Sequence, residues 1–79
     1  MTDTLAHVMQ SMRSVKPDFE GELLADTEIA GLEFSSLDEV HLMMTLEDSL
    51  DIEISQAQAS RCRTVGELAA LVEQLRQKA

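Results

Sequence analysis

The side chains in this sequence that can do chemistry are His7, His41, Cys62, a set of serines and threonines each followed at short range by an acid or amide, and clustered carboxylates. Nucleophilic catalysis needs a nucleophile and a base within hydrogen-bond reach, and a metal needs several ligands converging on one point. His7 and His41 fall on different helical segments and Cys62 on a third, with no nucleophile–base spacing and no ligand cluster among them. The acids near Asp48 lack the central glycine and ligand order of a calcium loop. Neither an enzyme nor a metal site is indicated. Cys62 is the sole cysteine, so no intramolecular disulfide can form, and a reducing cytoplasm is the simplest setting. It reads as a small buried hydrophobe. The serines remain. Ser35 with Asp38, or Ser36 with Glu39, fits the spacing of a helix capping box, so either can open the helix that follows.

The elements that must position these groups are helical. Leu5, Val8, Met9, Met12 and Val15 fall on one arc of a helix that ends before Lys16-Pro17, because the residue before a proline is pushed out of helical geometry. His7 lies on the polar side of that wheel and reads as solvent-exposed. From residue 17 to 35 the periodicity breaks down. Gly21, Gly31 and scattered acids mix with Phe19, Leu23, Leu24, Ile29, Leu32 and Phe34, which describes a long loop, with room for one helical turn, pinned to the core by its apolar residues. A second strong helix spans 37–50, with Asp38 and Glu39 complementing its positive end. Residues 51–54 read as an extended exit. Ser55 with Gln58 opens a short helix through about Cys62, and Thr64 with Glu67 opens the last one, striped by Val65, Leu68, Leu71, Val72 and Leu75. The expectation is an all-α single domain over residues 1–79, a small four-helix bundle with three longer helices, one short one and a long loop between the first and second.

The chain has 79 residues, 44% of them apolar, which suffices for one core and excludes a disordered tail. With no Trp or Tyr and only Phe19 and Phe34, that core is aliphatic, and its Met and Leu can re-pack around a guest. Fifteen acids against six basic residues give a net charge of −9, the wrong sign for a nucleic-acid backbone or an anionic membrane surface. Such acidity serves solubility, and it also steers a chain toward basic patches on partner proteins. No stretch has the makings of a signal peptide or a membrane span.

The apolar residues of the second helix span roughly 220° of its wheel, against the ~100° stripe a surface helix needs. Leu42, Met43, Leu46 and Leu50 form a patch that can face the core. Leu37, Val40 and Met44 form another, flanked by His41, Glu47 and Asp48. An apolar strip edged with acids suits docking into a groove with basic rims; burial of both patches under the long loop is the other arrangement the wheel allows.

With its layout and motifs in view, the sequence resembles the free-standing acyl carrier proteins. The segment Gly31-Leu32-Glu33-Phe34-Ser35-Ser36-Leu37-Asp38 sits where that family has its modification site. Leu46-Glu47-Asp48-Ser49-Leu50-Asp51-Ile52-Glu53-Ile54 resembles the acidic end of the family's second helix and its exit, and Thr64-Val65 the start of its last. The resemblance covers essentially the whole chain. It implies that a phosphopantetheinyl transferase moves 4'-phosphopantetheine from coenzyme A onto Ser36, and that the attached thiol carries an acyl chain between enzymes of fatty acid, polyketide or specialised lipid synthesis. The implied docking residues for the transferase and for synthases with basic patches are Ser35, Leu37, Asp38, Val40, His41, Met44, Glu47 and Asp48. A cytoplasmic monomer without catalytic residues of its own is expected. Peptidyl and D-alanyl carriers share the fold and the serine, and an unmodified acidic interaction module would share the docking helix.

Two departures from the family pattern stand out. Ser35 occupies the position where the family has an aspartate, and His41 one where it often has a glutamate. Serine can still cap the helix but supplies no charge, so the docking face is altered, which a specialised carrier with its own transferase or partners would explain, as would a carrier that has lost modification. Asp48-Ser49-Leu50 also matches the family's short motif, but Ser49 falls near the end of the second helix, and the resemblance points to Ser36.

Overall fold

The computed structural model describes residues 2–19, 21–32 and 34–78, and contains four α-helices: α1 (Thr2–Val15), α2 (Ser36–Leu50), α3 (Gln56–Ser60) and α4 (Val65–Lys78). A single 3-10 turn, Ile29–Leu32, interrupts the loop between α1 and α2. Among the described residues there is no β-strand, only one isolated antiparallel bridge between Glu28 and Thr64. The all-α reading with three longer helices and one short one therefore holds.

Each boundary has a local cause. The Lys16 amide still bonds the Met12 carbonyl at 3.0 Å, and Pro17 stops α1 from continuing. α2 and α3 both begin with a reciprocal capping box. Ser35 Oγ accepts from the Asp38 amide while Asp38 accepts from the Ser35 amide, and Ser55 with Gln58 repeats the arrangement. At α4, Thr64 Oγ1 accepts from the Glu67 amide, and Glu67 Oε1 accepts from the amides of both Arg63 and Thr64. These amide bonds hold the Glu67 carboxyl below its usual range. α2 ends on Asp51, whose left-handed conformation (φ 54°, ψ 52°) returns its amide to the Glu47 carbonyl.

α1 packs against both α2 and α4. The shared core takes Val8 and Met12 from α1, Leu42 and Leu46 from α2, and Val65, Leu68, Ala69 and Val72 from α4; Leu23, Leu32, Ile52 and Ile54 close it from the connections. Each fully buried Leu or Val contributes about 1.5–3 kcal/mol. Two packing partners cover more of α1 than the single apolar arc suggests. Thr4 and Ser11 are buried, and His7, expected in solvent, is half-buried with Nε2 enclosed and without a hydrogen-bond partner among the described residues. At the chain ends Thr4 ties α1 to α4: its hydroxyl donates to Glu73 and accepts from Arg76 Nη1 at 2.8 Å.

The long loop is stitched to the start of α4 by backbone hydrogen bonds. Ile29 donates to Arg63 at 2.8 Å, Val65 to Thr27 at 2.9 Å and Gly66 to Ala25 at 2.7 Å. The last bond needs a bare Cα, because a Cβ at position 66 would lie 2.8 Å from the Ala25 carbonyl oxygen. Gly66→Ala should therefore lower stability by about 1–3 kcal/mol through overpacking, against the alanine's better helix propensity. Thermal melting checks this; an unchanged or raised Tm would show that the loop yields freely at this point.

Candidate functional site at the start of the second helix

The two serines that compete for the cap have separate fates. Ser35 is the N-cap residue, extended at φ −74° and ψ 169°, with its hydroxyl held by the Asp38 amide at 3.1 Å. Ser36 is thereby the first helical residue. Its side chain is exposed, and among the described residues its hydroxyl has no hydrogen-bond partner. The cap satisfies one amide of the first turn. Among the described residues the amides of Ser36 and Leu37 have no hydrogen-bond partner, and at the positive end of a helix such amides favour an anionic group.

Asp38 is bound into the cap. Its carboxyl is held below the usual range first by the Ser35 amide, then by the Ser35 hydroxyl, with Lys16 and His41 adding attraction. Lys16 lies beside this end of α2, its Nζ 6.0 Å from the centre of the Phe34 ring.

Ser36 also lines a cavity of about 330 Å³ between α2, α3 and the start of α4. The α2 side supplies Glu39, Val40, Met43, Met44 and Glu47; Ile29 from the 3-10 turn and Ile54 from the exit contribute from either side. Gln56, Ala59, Ser60 and Cys62 come from α3 and its end, and Leu68 from α4. The lining is mainly aliphatic, so an apolar guest gains from entering it. Cys62, expected to be buried, is half-buried; that burial, helped by the Glu67 carboxylate, pushes its thiol up, and the thiol contacts the Gln58 carbonyl at 3.7 Å.

The second helix divides as its wheel suggested. Leu42 and Leu46 are buried, and Met43 and Leu50 pack beside them. Leu37, Val40 and Met44 are 77%, 50% and 58% exposed, which decides against burial of both patches under the loop. Ser35, His41 and Asp48 are exposed along the same helix, whereas Glu47 is half-buried, with Oε2 accepting the Ile54 amide at 2.8 Å. Ser49 is exposed in the last turn of α2, far along the helix from the capped end. Sequence reasoning placed a serine cap at the start of the helix and left the exposure of the strip open, and it missed the pocket residues contributed by Ile29, Ile54, Gln56, Ala59 and Leu68. The usable signal was α3 itself, a short helix too small to bury a face and so suited to being a wall.

The Ser35 cap carries a pH signature. A carboxyl whose pKa is depressed on folding stabilises the fold above its unfolded pKa, about 3.9 for Asp, and loses that contribution as pH falls through its folded value. Asp38→Asn should lower Tm at pH 7, and the gap from wild type should close as pH drops below about 4. A gap independent of pH would mean that the charge of Asp38 plays no part in the cap.

Residues 19–72 match a sequence family described as the phosphopantetheine attachment site. Among curated proteins, an acyl carrier protein SF2 of Brassica campestris, chloroplastic by name, is 35% identical over 73 residues, covering 92% of this chain and 53% of its own length. The chloroplastic acyl carrier protein 2 of Arabidopsis thaliana is 36% identical over 73 residues, with 92% and 52% covered. The chain spans about half the length of these relatives.

Proposed function

We propose that this chain, which belongs to the family of the phosphopantetheine attachment site, acts as an acyl carrier, one carrier domain over residues 1–79 with covalent 4'-phosphopantetheine on Ser36. One observation carries the assignment: capping by Ser35 leaves Ser36 with an exposed, unengaged hydroxyl on the rim of an aliphatic pocket. The residues present fit the group. The amides of Ser36 and Leu37 suit a phosphodiester, and the pocket suits a hydrocarbon chain. When bound, the prosthetic group supplies the thiol that holds an acyl chain as a thioester. The protein then presents and shelters its cargo rather than catalysing a reaction.

The strip of Leu37, Val40 and Met44 is the face offered to partners. Ser35 and Asp38 sit at its capped end, and His41, Glu47 and Asp48 along its edges. With a net charge of −9 it suits a transferase and synthases of fatty acid, polyketide or specialised lipid synthesis that carry basic docking patches, met by a monomer in the cytoplasm. Among the described residues no helix is long and apolar enough to cross a membrane. Ser35 preserves the fold at the cap while removing a charge from this face, which favours a transferase adapted to it.

Intact-protein mass spectrometry after incubation with coenzyme A, magnesium and a broad-specificity phosphopantetheinyl transferase tests the site. The expected result is a gain of one phosphopantetheine that Ser49→Ala retains and Ser36→Ala abolishes. Loss only in Ser49→Ala would move the site to the wrong end of α2. No gain in either wild type or Ser35→Asp would overturn the carrier reading and leave an unmodified interaction module.

A further inference from the structure

The pocket beside Ser36 is not uniformly neutral. Its lining carries two carboxylates, Glu39 and Glu47, and none of the described residues that line it is Lys, Arg or His. Glu39 is exposed and can turn toward water. Glu47 is held: Oε2 accepts the Ile54 amide at 2.8 Å, and Ile54 is itself a buried wall of the pocket. A half-buried carboxylate tied to the backbone keeps its position relative to anything that enters. Its charge is also screened less there than in open water.

Two kinds of acyl chain would meet this lining differently. A chain ending in a methyl group leaves water for Met43, Ile54, Ala59 and Leu68 and brings no charge with it. A chain ending in a carboxylate must shed hydration without finding a cation among the lining residues, and it approaches a fixed negative charge as it does so.

Resting on the Ser36 reading above, we propose that the pocket sorts acyl groups by the charge of their far end, with Glu47 as the deciding residue. Uncharged hydrocarbon chains tethered at Ser36 enter and are shielded. Carboxylate-terminated chains stay in solvent, open to partner enzymes. The carrier thus holds a finished hydrocarbon chain and a carboxylated unit in two different states of access, although both hang from the same serine.

The test compares octanoyl and suberoyl groups, matched in carbon count and differing in the terminal carboxylate. Each is loaded onto the apo-protein from its coenzyme A thioester by the transferase, and loading is verified by mass. The readouts are the amide chemical shifts of Ile54, Ala59 and Leu68, and Tm, each against the unacylated phosphopantetheine form. Octanoyl should move those amides and raise Tm by roughly 4 °C or more. Suberoyl should leave both readouts at the unacylated values. Glu47→Gln removes the charge but can still accept the Ile54 amide through its side-chain oxygen. In that variant suberoyl should acquire part of the octanoyl response, scored as a fraction of the octanoyl shift measured in the same variant. Entry of suberoyl into the wild-type pocket, or a suberoyl response unaltered by Glu47→Gln, overturns the proposal. Failure of both acyl groups to perturb the pocket overturns the shelter reading and the proposal together. Failure of loading at the mass stage instead places the fault with the assignment of Ser36.

Discussion

The rest of the structure depends on which of two adjacent serines caps α2. When Ser35 accepts the Asp38 amide, the helix starts at Ser36, whose own hydroxyl is then not needed for the cap. In this register Leu42 and Leu46 point into the core, Leu37, Val40 and Met44 point out, and Ser36 stands at the pocket rim. A cap is worth only about 1 kcal/mol in stability. Its consequence for the site is larger, because the same bond that stabilises the helix also leaves the neighbouring hydroxyl available.

The long loop is what makes a pocket possible in so short a chain. Helices α1, α2 and α4 supply the core, but three helices and a five-residue fourth leave one side open between α2 and α3. The loop closes part of that side by lending Leu23 and Leu32 to the core and Ile29 to the pocket wall. Its bonds to residues 63–66 hold it there without a sheet, and Gly66 lets the two backbones approach. The resulting wall is mainly aliphatic, and its Met43 and Met44 can re-pack when a guest enters.

Much of this was legible from residue spacing. The three capping boxes follow from a serine or threonine three residues before an acid or amide, a signal that depends only on local chain geometry. The end of α1 at Pro17 and the inward face of α4 were equally local. What spacing could not resolve was tertiary. Ser35 and Ser36 both satisfy the capping rule, and spacing alone does not say that Ser35 takes the cap and Ser36 the first helical position. His7 lies on the polar side of its wheel and is half-buried anyway, because α1 has two neighbours. The pocket draws on five separate segments of chain, and no window of sequence contains it.

α2 therefore faces two ways at once, and its acids serve both. Outward, Asp48 edges an apolar strip on a chain of net charge −9, the complement of a basic partner surface. Inward, Glu47 fastens the helix exit to Ile54 and leaves a fixed negative charge at the pocket wall. Its backbone carbonyl also receives the amides of Asp51 and Ile52, so the residue that closes the helix is the one that borders the cavity. Replacing it touches the helix end and the pocket together, whereas replacing Asp48 touches only the surface. On the proposed reading, that coupling is why the two neighbouring acids are not equivalent. A partner that neutralises the outer face meets Asp48 first, while the charge that the tethered chain encounters stays anchored to the backbone.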